Sequence, residues 1–152
     1  MDLTGEYSIA APRTKVWAAL NDVDVLKSCI PGCEEIEKTS ATTMVATVVQ
    51  KIGPVKAKFD GSISLLNIDA PASYTIQGEG QGGVAGFAKG SADVTLIEGD
   101  RETVLVFEAN AQVGGKLARI GNRLIDAAAK KIAKQFFDNF HDHLSKGKPK
   151  AD

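Results

Sequence analysis

The chain has little of what would mark a catalyst, a nucleic-acid binder or a membrane protein. Its 152 residues carry 18 basic against 19 acidic side chains, a net charge of -1, so the chain as a whole lacks the basic field on which nucleic-acid binding rests. No apolar run approaches the ~20 residues of a membrane span. The opening Met1-Asp2-Leu3-Thr4-Gly5-Glu6 has neither the basic nor the apolar region of a secretion signal. A soluble, cytoplasmic protein is the expectation. Cysteine and histidine are scarce, two of each. Cys29 and Cys33 bracket Ile30-Pro31-Gly32, far in sequence from His141 and His143, so a four-ligand zinc site is not suggested and the thiols read as ordinary reduced ones. The two histidines stand two apart, a spacing that points them away from each other on a helix, and read as solvent-exposed near a helix end.

What the chain does have is small residues at regular spacing. From Cys33 onward the hydrophobic period is two, and strands are expected at about residues 34–39, 42–51, 55–67, 73–80, 86–97 and 102–112, after a first strand at 4–10. The clearest alternation sets Val55, Ala57, Phe59, Gly61, Ile63 and Leu65 against Lys56, Lys58, Asp60, Ser62 and Ser64, one dry face and one wet. Ala88, Gly90, Ala92, Val94 and Leu96 repeat the pattern, as do Leu105, Phe107, Ala109, Ala111 and Val113. Between the first and second strands, Pro12 can open a short helix carrying Val16, Trp17, Ala19 and Leu20. Asp22 starts a second, which Pro31-Gly32 ends. After Gly114-Gly115 a helical period runs to about Leu144, with an apolar stripe of Leu117, Gly121, Leu124, Ile125, Ala128, Ala129, Ile132, Phe136 and Phe140.

This order gives an α+β, helix-grip architecture: a curved seven-stranded antiparallel sheet wrapped around a long C-terminal helix, with two short helices after the first strand. Residues 1–145 form one domain, and 146–152 a short basic tail expected to fray. The small residues of the sheet face those of the helix, which leaves space in an interior that is normally packed to crystal-like density. A cavity for an apolar ligand is therefore expected, lined by Phe59, Ile63, Ala88, Ala92, Leu105, Phe107, Ala109, Leu117, Leu124, Ile125, Ala128 and Ile132. Catalysis needs polar groups aimed into a pocket. Glu108, Asn110, Lys56 and Lys58 all fall on the outer parity, so the chain reads as a non-enzyme with no cofactor or metal of its own. Gly78-Glu79-Gly80-Gln81-Gly82-Gly83 satisfies a dinucleotide-binding glycine pattern, but a strand follows where the chemistry needs a helix. A hairpin loop from Gly78 to Gly86 is the preferred reading, either gating the cavity together with Pro31-Gly32 or serving as a plain mobile turn.

The element order, the turn Cys29-Ile30-Pro31-Gly32-Cys33-Glu34, and the segments Gly86-Phe87-Ala88-Lys89-Gly90-Ser91-Ala92 and Gly115-Lys116-Leu117-Ala118-Arg119-Ile120-Gly121 resemble the carbon monoxide dehydrogenase G-subunit family, within the START-like, polyketide-cyclase-like superfamily. The resemblance covers about residues 2–144. It implies an accessory role beside a molybdenum hydroxylase-type dehydrogenase: carriage of a lipophilic electron acceptor, for which an isoprenoid quinone or a lipid of similar shape is the candidate, or non-catalytic recruitment of that enzyme to the membrane or its assembly. A START-like cyclase-type enzyme is the third reading and would need inward polar residues. The basic side of the last helix, with Lys146, Lys148 and Lys150, reads first as a solvated face, with transient contact with the inner membrane face as the alternative.

Overall fold

The computed structural model describes residues 1–146, so the expectation for the tail lies outside the described residues apart from Lys146, which ends the last helix. The elements are β1 (Asp2–Ile9), α1 (Arg13–Leu20), α2 (Val23–Cys29), β2 (Cys33–Lys38), β3 (Thr43–Ile52), β4 (Val55–Asp69), β5 (Ser73–Gln81), β6 (Phe87–Glu98), β7 (Thr103–Gly114) and α3 (Asn122–Lys146). Two 3₁₀ turns, Gly83–Ala85 and Gly115–Ile120, precede β6 and α3. The strands form one antiparallel sheet in the order β1-β7-β6-β5-β4-β3-β2. Pro12 immediately precedes α1, and the Asp22 carboxylate accepts from the Asp24 amide at 2.9 Å and the Val25 amide at 3.5 Å, capping donors that the first turn of α2 leaves unpaired. The helix-grip expectation holds in strand number, pairing and helix order.

Two sequence expectations fail locally. The long helix does not begin after Gly114-Gly115: the chain winds through the second 3₁₀ turn and breaks at Gly121, whose φ of +100° ends any continuous helical phase. Gly78 and Gly80 are not in a loop. They lie inside β5, paired with Gly90 and Ala88 of β6 and with Ile63 and Gly61 of β4, so the dinucleotide-like glycine pattern is ladder backbone and only residues 82–86 form the turn.

The strand register explains where the interior is full and where it is not. The inner face carries large residues at the end near α1 and α2, with Tyr74, Val94 and Phe107 in one cross-strand row and Leu96 beside Leu105 in the next. Toward the other end the rows become Met44-Ile63-Gly78-Gly90-Ala111 and then Ala46-Gly61-Gly80-Ala88-Val113. The middle of these rows, a belt from Gly61 through Gly78, Gly80, Ala88 and Gly90 to Ala111 in which no side chain is larger than methyl, separates two hydrophobic clusters. The larger holds Ile9, Val16, Leu26, Leu96, Leu105 and Phe140, and the smaller is Val55, Ala85 and Leu117 with Ile52, Phe59, Val113 and Ile120 around them. The Asn139 side-chain amide donates to the Cys29 carbonyl at 3.0 Å and ties α3 to α2 over the larger cluster.

Candidate ligand-binding site

Between the sheet and α3 lies a cavity of about 280 Å³, walled by Met44, Ile63, Leu65, Tyr74, Ile76, Ala92, Val94, Leu105, Phe107 and Ala109 from the sheet, Leu20, Leu26 and Ile30 from the α1–α2 region, and Ala133, Phe136 and Phe137 from α3. A second apolar depression of about 400 Å³ shares Ile30, Ala109, Ala133 and Phe136 with it and extends past Leu3, Pro31, Ala129 and Ile132 to Met1. A third, of about 360 Å³, lies farther along α3 and is mixed in character, with Gln112, Asn122 and Asp126 beside Val113 and Ile125. Larger depressions of about 440 and 690 Å³ are lined mainly by polar side chains such as Ser62, Gln77, Glu79 and Asp60, and offer no apolar enclosure.

The polar inventory of the inner cavity is one group. Every wall residue is apolar except Tyr74, which is 4% exposed. Trp17 meets its ring edge-on at a centroid distance of 5.0 Å, and its hydroxyl makes no side-chain hydrogen bond among the described residues. Burial holds the phenol far above the ordinary tyrosine range, because the phenolate would lose its hydration with nothing to replace it. The hydroxyl therefore stays protonated across the ordinary pH range. Phe137 stacks on Tyr7 at 4.1 Å and lies 5.7 Å from Phe107, so an aromatic wall closes the helix side.

The residues expected from sequence divide into three groups. Ile63, Ala92, Leu105, Phe107 and Ala109 line the inner cavity, Ala109 and Ile132 the second depression, and Ile125 the third. Phe59 and Leu117 belong to the smaller cluster, with Leu117 fully buried there. Ala88 is part of the small-residue belt, and Ala128 is half-buried on α3 without lining any of the three spaces. Leu124 is 45% exposed and turned toward Gly53. Its assignment to the interior assumed an unbroken helix from Leu117, and the break at Gly121 removes that phase relation. Sequence reasoning missed Tyr74, Ile76, Met44 and the α1–α2 contributions. The alternation Tyr74, Ile76, Gly78, Gly80 in β5 carried the signal for the first two.

The Pro31-Gly32 turn is tied to β3: the Gln50 side-chain amide donates to the Pro31 carbonyl at 2.6 Å, and the Val49 amide donates to the Gly32 carbonyl at 2.9 Å. Cys29 and Cys33 are free thiols, both pushed up chiefly by burial, with nearby Lys27 partly offsetting this at Cys33. His141 and His143 are exposed on the last turns of α3. Among the described residues there is no group of three or more His, Cys, Asp or Glu placed to hold a metal ion, and no helix long and apolar enough to cross a membrane.

The carbon monoxide dehydrogenase G-subunit family (CoxG) matches residues 5–145. A conserved protein from Geobacillus kaustophilus is 30% identical, with 96% of each chain covered and a TM-score of 0.90. A START superfamily protein from Mycobacterium smegmatis has 10% identity over 95% of this chain and 97% of its own, with a TM-score of 0.72. An aromatase/cyclase from Streptomyces has 12% identity over 96% and 94%, with a TM-score of 0.68. At these last two identities the likeness concerns the fold alone. No curated protein matches the sequence.

Proposed function

We propose that this chain, which belongs to the carbon monoxide dehydrogenase G-subunit (CoxG) family, is a carrier that holds an isoprenoid quinone, or a lipid of similar shape, and presents it to a molybdenum hydroxylase-type dehydrogenase. The observation that carries the reading is the apolar cavity beneath α3 whose one polar side-chain group is the Tyr74 hydroxyl. A quinone fits this form: a ring carbonyl that enters beside Tyr74 accepts from its hydroxyl, and the isoprenoid tail follows the apolar depression along α3 toward Ile132. Burial at ~25 cal/mol per Å² of apolar surface supplies ample affinity for such a tail, so release depends on opening between helix and sheet.

Carriage is favoured over catalysis by the same inventory. A lone phenol whose pKa is raised by burial, with no base beside it in the cavity wall, has no partner for proton transfer.

The test is mass spectrometry of an organic extract of the purified protein, beside native mass spectrometry of the intact complex. Recovery of a quinone at near one per chain supports the carrier. Empty protein that also fails to take up quinone from vesicles overturns it and leaves recruitment or assembly of the dehydrogenase as the better account.

A further inference from the structure

One end of the domain carries charge of a single sign around an exposed apolar tip. The first 3₁₀ turn puts Val84 95% into solvent, flanked by Gly82, Gly83 and Gly86. Beside it, the second 3₁₀ turn and the start of α3 expose Leu124, Lys116, Arg119 and Arg123, and the β3–β4 turn adds Lys51 and Lys56. The pieces form one surface: the two 3₁₀ turns touch each other, and a Cβ at Gly53 would meet Ile120 and Leu124 at 3.3 Å.

Residues 51–56, 82–86 and 114–124 contain five Lys and Arg and no carboxylate. None of the five forms an ion pair among the described residues. The turns at the opposite end of the sheet, with the strand ends that flank them, carry Asp69, Glu98, Asp100 and Glu102 against Lys38 and Arg101. A chain of net charge -1 is thus polarised along its strands.

We propose that this basic, valine-tipped end is a docking surface for an anionic lipid bilayer. Val84 enters the interface and the five cations meet headgroup charge. Each basic side chain near an anionic surface strengthens binding about fivefold, and an apolar side chain at the boundary adds to that. The placement also differs from the tail expected from sequence: α3 carries its C-terminal end about 36 Å away at 1.5 Å per residue. Charge and exposure carry the proposal, which requires no ligand in the cavity.

The experiment is sedimentation of the full chain with vesicles of phosphatidylcholine alone or with phosphatidylglycerol, in low and high salt and without added quinone. The expected result is binding to the anionic vesicles only, lost in high salt. Val84→Asp, and separately Lys116→Gln with Arg119→Gln, are expected to weaken it tenfold or more, with the far-ultraviolet circular dichroism unchanged. Lys148→Gln with Lys150→Gln is expected to leave it intact. Equal binding to both vesicles, no effect of the tip substitutions, or loss confined to the tail substitutions overturns the proposal. So does absence of binding to either vesicle, which would assign the tip to an acidic protein surface. Quinone recovery from the same purified protein reports on the carrier reading separately, so either can fail alone.

Discussion

Replacing Ala109 by Leu tests whether the space beneath α3 is a working void or a gap between side chains. Ala109 lines both the inner cavity and the second depression, and it sits between Ala92 and Leu3 in the register. The substitution adds three carbons to a space of about 280 Å³. In a filled core such overpacking costs about 1–3 kcal/mol. In an open apolar cavity the same carbons lose water contact at ~0.8 kcal/mol each, so the protein should be unchanged or up to about 2 kcal/mol more stable. Urea unfolding measures this, with an unaltered slope confirming that the two end states are the same. Uptake of decylubiquinone should fall at least tenfold in the same variant. A loss of about 1 kcal/mol or more would mean that the site was already full, and undiminished uptake would mean that the quinone binds elsewhere; either refutes the reasoning.

Tyr74→Phe should weaken decylubiquinone about fivefold, the worth of one neutral hydrogen bond of roughly 1 kcal/mol, while leaving a headless hydrocarbon such as squalene bound as before; equal losses would deny the hydroxyl its role. Because the folded-state pKa of Tyr74 lies above the ordinary 10.0, the unfolded chain ionises first as pH rises. Its stability contribution is therefore complete below about pH 10 and declines above it by up to ~1.4 kcal/mol per pH unit, a slope that alkaline urea titrations should find missing from the Phe variant. Gly32→Ala should cost roughly 1–3 kcal/mol in a thermal melt, since Gly32 has φ +77° and a Cβ there would overlap the Val49 carbonyl oxygen; a neutral effect would show that the turn is loose. Iodoacetamide at about pH 8 should label half-buried Cys33 before buried Cys29, and both more slowly than free cysteine, because burial raises both thiols; peptide mass spectrometry reads the order.

The sheet was legible because alternation survives wherever one face is wet. Lys56, Lys58 and Asp60 against Ala57, Phe59 and Gly61 allow only one parity, and the observed register keeps it. The helix side was less legible. Leu117 and Leu124 share a stripe at helical spacing, and nothing in their neighbours' side chains reports that Gly121 adopts a φ of +100° between them. Gly78 and Gly80 failed for a related reason: glycine is compatible with a turn or a strand, and only pairing with Gly90 and Ala88 decides. Tyr74 was overlooked because a single tyrosine in a strand carries no local sign that its hydroxyl will have no side-chain partner.

On the carrier proposal, the belt of glycine and alanine next to the cavity would act as an adjustable stop for cargo length. At Gly61, Gly78 and Gly80 a methyl group would meet nothing nearer than 3.5, 3.9 and 3.7 Å, whereas at Gly90 it would lie 2.4 Å from the Asn110 carbonyl oxygen. Three of the four positions can thus gain volume one carbon at a time without disturbing the ladder, while the fourth is held at glycine by backbone. On the same proposal, single-methyl steps here would retune the length of molecule held while leaving both flanking clusters, and with them the fold, unaltered.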